Sequence, residues 1–317
     1  MQRIFIASFV VLPMLVNTGL AEESDAPATD DSRNSPVIDR SLDEIGMELV
    51  NPASSLVRVD TDLGYIGYQG SLADASGESA YVLNVRTSFP IPLSNGNNIL
   101  LRLNIPLNGD QPLYEIPGSD EELSTYQIRQ IASTLPPDGT FDHYHGHSHL
   151  GEVSLDVAYG GVSDSGFISM FGIAAQFPTS QDISQSSDQT LLGPEIALGQ
   201  VTDWGIYGGW LTHMTNIEGD DTYPTNTTTL ELFYAYGLGN GWQITSNPVL
   251  AYDWEGEKDN RLFLPIGGGV AKTTRIGNVP VKLGLEVYTY LESPDSIGPD
   301  WLVTFSITPA LRNPLLD

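Results

Sequence analysis

Apolar and polar residues alternate with a period of two along most of the chain, most clearly between Trp242 and Leu291. In the first run of this segment, Trp242, Tyr252 and Trp254 share one parity, and polar residues dominate the other parity. Aromatic residues thus mark both ends of one face, about eleven residues apart, which is the length of a tilted membrane-spanning β-strand. Strands of soluble sandwiches have about half that length. The pattern therefore predicts a membrane barrel.

Twelve runs of this kind follow one another, and their number predicts the architecture. They cover residues 54–70, 80–91, 98–107, 149–160, 166–177, 189–200, 204–215, 227–238, 242–254, 259–272, 279–291 and 300–311. The connections between them are mostly long and short in turn, as extracellular loops and periplasmic turns are. We therefore predict an all-β fold over residues 51–317, a transmembrane antiparallel β-barrel of about 12 strands with both termini on the periplasmic side.

Charged residues lie on the parity opposite to the apolar one, so we expect them to face the lumen. They are Arg58, Asp60, Asp62, Arg86, Arg102, Glu152, Asp156, Glu195, Glu231, Asp253, Lys282 and Glu286. The three arginines fall on the first three runs and the acids dominate the next six, which divides the lumen into a basic and an acidic wall. Two interpretations follow: a polar passage whose transverse field orients a solute, or a lumen filled by bracing ion pairs.

The residues before the barrel predict export and a short helix. Residues 1–21 have a basic start at Arg3, an apolar core and a small-x-small cleavage site, which is typical of a signal peptide. Residues 22–36 form an acidic lead that we expect to be disordered. Residues 38–50 have rough helical spacing, and Ser41 with Glu44 resembles a capping box. This amphipathic helix could lie at the barrel mouth or within the lumen.

Composition excludes several classes of function. The net charge is −27, which argues against nucleic acid or an anionic surface as a partner. There is no cysteine, so disulfides and thiolate metal sites are ruled out. No stretch after the signal peptide has eighteen consecutive apolar residues, which excludes a helical membrane protein. A bacterial outer membrane is the predicted location.

A histidine run is the one candidate metal site. His143, His145, His147 and His149 alternate near the end of the longest loop, and on an extended backbone they would project from one face. Adjacent pairs could bind Zn, Cu or Ni. The alternative is a solvated, pH-sensitive loop edge, and the sequence implies no other cofactor.

Evidence for catalysis is weak. Outer-membrane lipid hydrolases use a Ser–His pair at the lipid face. Ser154, Ser169 and His213 are available here, but no nucleophile-elbow motif surrounds them. We therefore predict that the chain is not an enzyme, and an outer-membrane enzyme acting on lipid or an aromatic substrate stays as the alternative.

The C-terminal part of the chain resembles a known family. The residues that carry the resemblance are Gly239–Trp242, Thr245–Pro248, Asp253–Glu255, Pro265–Lys272 and Gly298–Trp301. They are similar to the phenol-degradation meta-pathway outer-membrane proteins, whose members are often described as transporters. The resemblance covers most of residues 50–311 and implies an outer-membrane barrel with a role in small-molecule passage. The 108–148 loop departs from the family pattern.

Three functions are compatible with these features. The first is a narrow channel or transporter for small solutes, aromatic or hydrophobic ones included, with outer-membrane lipid and the solute as partners. The second is the enzyme named above. The third is a structural or ligand-binding barrel whose outer loops, such as Glu218–Asp221 or the histidine run, capture cations. The solute, the state of the lumen and the oligomeric state are left open by the sequence.

Overall fold

The computed structural model describes residues 40–109, 111–120, 122–136, 138–143, 149–180 and 187–316. The predicted signal peptide (1–21) and acidic lead (22–36) lie outside these residues. None of the helices in the described ranges is long and apolar enough to cross a membrane.

One antiparallel sheet closes into a barrel. Its strands are β1 (Val57–Gln69), β2 (Ser79–Pro92), β3 (Asn98–Asn108), β7 (His149–Leu150), β8 (Val153–Val162), β9 (Phe167–Phe177), β10 (Gln189–Thr202), β11 (Gly205–Gly219), β12 (Asn226–Gly239), β13 (Trp242–Ser246), β14 (Val249–Asp253), β15 (Leu262–Ile276), β16 (Val279–Glu292) and β17 (Gly298–Leu311). Of these 14 strands, β13 and β14 are halves of one wall strand and β7 is a short extension, so 12 strands form the wall. β1 pairs with both β2 and β17, which leaves the wall without a free edge. The predicted 12-stranded barrel is confirmed.

The pleat of each strand separates an apolar outer face from a polar inner face. On the outer face Leu63 is 46%, Phe171 62% and Leu291 61% exposed, as expected for side chains that contact lipid. Aromatic groups lie at both rims: Trp204 stacks on Tyr207 with ring centroids 5.8 Å apart at one end. Trp254 packs on Tyr252 with centroids 4.6 Å apart at the other.

The two ends of the barrel differ. At the turn end, the connections are short and span 93–97, 163–166, 203–204, 240–241 and 277–278. Asn240 and Gly241 both have positive φ, as a two-residue hairpin turn requires. At the loop end, most of the connections are longer, and the longest runs from 109 to 152. The predicted alternation of loops and turns is therefore present.

The predicted N-terminal helix forms as α1 (Leu42–Glu48), and its capping box of Ser41 and Glu44 is present. It packs on the inner face of the wall at the turn end. A Cβ added at Gly46 would lie 2.6 Å from Thr273 Oγ1 and 2.9 Å from Gln243 Nε2, so the helix backbone approaches these two side chains closely. The helix therefore lies within the lumen, which the sequence left open.

The 109–152 connection has structure of its own. It contains β4 (Pro112–Glu115), β5 (Glu122–Ser124), α2 (Thr125–Ile131) and β6 (Thr140–His143), and the three strands form a separate small sheet. Tyr114, Leu123 and Ile128 are fully buried beside Ile297 of the neighbouring loop. The predicted 108–148 loop thus carries elements of its own. The strand predicted over 149–160 is divided into β7 and β8 by Gly151 and Glu152, which belong to neither strand.

Candidate functional site in the barrel lumen

Predicted lumen residues near the turn end tie the N-terminal segment to the wall. Arg58 Nη1 donates to the Leu49 carbonyl at 2.7 Å, just after α1. Its Nε lies 3.2 Å from Asp60 Oδ2. Asp60 Oδ1 in turn accepts from the Thr308 hydroxyl at 2.9 Å. Arg58 therefore fixes the segment that follows α1 against β1 and β17.

A second cluster, around Arg102, lies on β3, β8, β10 and β11. Arg102 Nη2 is 2.7 Å from Asp156 Oδ2 and 3.3 Å from Glu195 Oε2. The guanidinium also covers the Trp210 ring at 3.6 Å from its centroid. Trp210 Nε1 donates to Glu195 Oε2 at 2.8 Å. Since Arg102 and Glu195 are both buried, this cluster is a rigid internal brace.

An ion pair in the middle of the lumen spans the barrel. Arg86 Nη1 on β2 lies 3.1 Å from Glu231 Oε1 on β12. Along the wall order β2, β3, β8, β9, β10, β11, β12 these strands are six steps apart, half of the circumference. Both side chains are about 30% exposed. Val249, which is paired with Glu231 and shares its inward face, is 45% exposed. Water-accessible space therefore surrounds the bridge.

The remaining predicted lumen charges occupy different levels. Asp62 and Lys282 lie on the inner faces of β1 and β16. Glu286 accepts from Asn247 Nδ2 at 2.9 Å and from the Tyr288 hydroxyl at 2.7 Å.

Two predicted lumen residues lie at the loop end instead of the middle of the lumen. Asp253 is buried there, and its Oδ1 accepts from the backbone N–H groups of Glu255 and Gly256. Glu152 precedes β8 and accepts from the Ser187 N–H at 2.9 Å, so it is a rim residue. Glu152 keeps the inward parity of Ser154 and Asp156 but precedes the first residue of β8.

The turn end of the lumen holds α1 and apolar side chains that pack around it. Val50, Leu100, Ile168, Ile206 and Phe233 belong to one buried cluster at this end. The Asp43 carboxylate accepts from the N–H groups of the 240–241 turn, at 3.1 and 2.5 Å.

Polar atoms are trapped under α1. Gln243 Nε2, Gln243 Oε1 and Thr273 Oγ1 are buried and have no hydrogen-bond partner among the described residues. Neither residue is among the predicted site residues. In the sequence, the one indication of their position is that both are polar and lie on the inward-facing parity of their strands.

At the loop end, α2 contacts two of the connections between wall strands. The Tyr126 hydroxyl donates to the Tyr223 carbonyl at 2.9 Å, and Gln130 Nε2 donates to the Pro224 carbonyl at 3.1 Å. The backbone N–H of Glu257 donates to the Arg129 carbonyl at 2.9 Å. These contacts hold α2 across the mouth of the barrel.

A cavity of about 210 Å³ lies beneath α2. It is lined by Ile66, Tyr68, Thr125, Arg129, Phe263, Tyr290, Ile297 and Pro299. Arg129 Nε is 3.5 Å from Asp253 Oδ2, and its guanidinium lies 5.1 Å from the Phe263 ring centroid. Burial lowers the pKa of Arg129, and the neighbouring Asp253 carboxylate opposes this shift.

The histidine run is mostly outside the described residues. His145 and His147 lie outside them, and so does the side chain of His143. His149 is the first residue of β7. Within the described ranges, no group of three or more His, Asp or Glu side chains is arranged to hold a metal ion. Binding of Zn, Cu or Ni by the run stays a prediction.

The candidate serines and histidine do not form a pair. His213 shares the outward parity of Leu211 and Ile217, whereas Ser154 shares the inward parity of Asp156. Ser169 faces outward on β9, which β10 separates from β11. His213 Nδ1 instead lies 2.9 Å from the hydroxyl of a threonine, Thr228.

The fold is that of outer-membrane β-barrels. The chain is similar to the COG4313 outer membrane channel from Pseudomonas putida F1, with a TM-score of 0.57, 8% identity, and coverage of 81% of this chain and 96% of that one. Weaker similarity relates it to the NanC porin (TM-score 0.44, 12% identity, 80% and 99% coverage) and to outer membrane phospholipase A from Escherichia coli (0.39, 11%, 81% and 97%). No family model and no curated protein sequence matches the chain. Membership of the phenol-degradation family thus stays a prediction.

Proposed function

We propose that the chain is a bacterial outer-membrane channel for small solutes, and that α1 and α2 close it at rest. The observation that carries this proposal is the set of unpaired polar atoms of Gln243 and Thr273 beneath Gly46. A permanent plug would be more stable on an apolar surface, because each buried polar group without a partner costs about 1–3 kcal/mol. When α1 leaves, the same atoms face lumen water and the cost disappears.

The middle of the lumen supports the same conclusion. The Arg86–Glu231 bridge is partly exposed, and ion pairs of this kind contribute little to stability, about 0–1 kcal/mol. Space accessible to water lies beside it at Val249. A bridge that is weak and wet can separate to admit a solute, whereas the buried Arg102 cluster keeps its place. The passage suits small solutes because side chains fill most of a 12-stranded barrel.

A reversible cross-link tests the proposal, since the chain has no native cysteine. The variant carries Gly46→Cys and Thr273→Cys, at positions close enough for a disulfide. In planar bilayers we expect conductance from the reduced protein, loss of it after oxidation, and recovery with reductant. The two single-cysteine variants are controls that should not respond. Equal conductance in both redox states, or none from a variant lacking residues 40–50, contradicts the proposal.

Lipid hydrolysis is a second candidate, favoured by one observation. His213 Nδ1 and the Thr228 hydroxyl form a pair on the lipid-facing wall. However, Trp254 Nε1 also donates to the same Thr228 oxygen at 2.9 Å, which occupies one of its two lone pairs and makes the oxygen a weaker nucleophile. Replacing His213, alone and together with His147, and assaying phospholipid hydrolysis tests it: activity that is unchanged or absent from the outset rejects the enzyme.

A further inference from the structure

The cavity beneath α2 has an aromatic wall and one charged corner, and Thr125 also lines it. Tyr68, Phe263 and Tyr290 come from the inner face of the barrel, and Ile66, Ile297 and Pro299 complete the apolar lining. An apolar cavity of about 150 Å³ holds a benzene molecule. A volume of about 210 Å³ is therefore sufficient for one substituted ring.

The charged corner is cationic. Arg129 is the one charged residue among those that line the cavity in the described part of the chain. Its Nε is buried and makes no hydrogen bond with the described residues, since the 3.5 Å separation from Asp253 Oδ2 is longer than a good hydrogen bond. Arginine stays protonated even when burial lowers its pKa. The Arg129 guanidinium, whose Nε makes no good hydrogen bond, therefore borders an aromatic-lined space.

Asp253 does not satisfy Arg129 as a hydrogen-bond acceptor. Its Oδ1 already accepts hydrogen bonds from the N–H groups of Glu255 and Gly256, which partly neutralise the carboxylate. A ligand carboxylate would meet the guanidinium with the planar geometry that arginine prefers. It would also compete with Asp253 for Arg129, and so weaken a contact between α2 and the wall.

We propose that this cavity binds a single-ring aromatic carboxylate, with its ring against Tyr68, Phe263 and Tyr290 and its carboxylate on Arg129. The inference rests on the proposed channel function and names the class of solute that enters at the loop end. Displacement of Asp253 by the ligand would loosen α2, so binding and opening are coupled at one residue.

Calorimetric titration of the refolded full-length protein with benzoate tests the proposal, with benzyl alcohol as the uncharged probe of the same size. We expect saturable benzoate binding, weaker by about tenfold or more in Arg129→Met and for benzyl alcohol, as loss of a charge-assisted hydrogen bond implies. Phe263→Ala should weaken both probes. Lys258→Gln removes an exposed charge at the same end and is the matched control, which should bind as the wild type does.

Equal affinity for the two probes, or benzoate binding that survives Arg129→Met, overturns the inference. Circular dichroism checks that the variants are folded, and Phe263→Ala serves as an independent variant if Arg129→Met is not. Binding is measured by calorimetry and conductance in bilayers, so the ligand proposal and the channel proposal can fail separately. Conductance without benzoate binding rejects only the ligand, and benzoate binding without conductance in any variant rejects only the channel.

Discussion

Arg86 and Glu231 lie on opposite walls of the barrel and meet across the lumen, with Nη1 and Oε1 3.1 Å apart. Residues on opposite walls of a 12-stranded barrel are separated by its full diameter, so both side chains must extend to the centre. The basic and acidic walls are thus joined at this level. The bridge therefore obstructs the passage that the two walls would otherwise enclose.

Glu231→Gln should raise the conductance of the open channel. The substitution removes the ion pair, and Arg86 can then turn towards the wall and water. Because both partners are partly exposed, the free energy of unfolding should fall by no more than about 1 kcal/mol. Single-channel recording and urea unfolding check the two expectations. Glu286→Gln is the control. Glu286 accepts hydrogen bonds from Asn247 and Tyr288, so this substitution should leave the Arg86–Glu231 bridge intact and the conductance unchanged.

A substitution in the buried Arg102 cluster should reduce stability more than one in the Arg86–Glu231 bridge. Trp210→Phe keeps a ring under the guanidinium but removes the Nε1–H donor to the buried Glu195. A buried carboxylate that loses a hydrogen bond costs about 1–3 kcal/mol. The free energy of unfolding should therefore fall by that amount, as measured by denaturant titration. Trp204→Phe, at the lipid-facing rim, is the matched control; an equal loss there would show that the hydrogen bond is not the cause.

The wall of the barrel could be predicted from sequence because its cause is local. Each strand places alternate residues in lipid, so the period-two pattern of runs such as 300–311 is direct evidence of a strand. The capping box of Ser41 and Glu44 is local in the same sense, and it located α1 within a few residues.

The interior could not be predicted in this way, since it depends on contacts between distant residues. Asp43 binds a turn nearly 200 positions away, and the Arg86–Glu231 partners are 145 positions apart. Parity predicts that Gln243 faces inward, but it says nothing about the helix that covers it. Similarly, strands as short as β4 carry too few residues for a clear period, so the folded 109–152 connection read as a loop.

Gln243→Leu should hold the channel closed for longer. The substitution replaces two buried, unpaired polar atoms under α1 with an apolar group of similar size. The closed form then gains about 1–3 kcal/mol per polar group, whereas the open form exposes leucine to water. We expect fewer openings in bilayer recordings and slower hydrogen exchange in α1. Gln200→Leu, on the outward parity of β10 and away from α1, should not change either measurement. More frequent openings in Gln243→Leu would contradict the gating role of α1.

Tyr126→Phe should free α2 from the loop end. The hydroxyl donates to the Tyr223 carbonyl and also contacts the Thr225 hydroxyl, so its loss removes a hydrogen-bonded anchor. Burial raises the pKa of Tyr126, which keeps the donor proton in place above the ordinary tyrosine pKa of about 10. Its contribution to docking is therefore complete below that pH and is lost as the pH rises through the raised pKa. Hydrogen exchange in α2 should be faster in Tyr126→Phe at neutral pH, and the difference from the wild type should shrink in strong alkali. Tyr252→Phe, at the outer rim, is the control for a lost tyrosine hydroxyl. Equal protection of α2 in the wild type, Tyr126→Phe and Tyr252→Phe would show that the Tyr126 hydroxyl does not anchor α2.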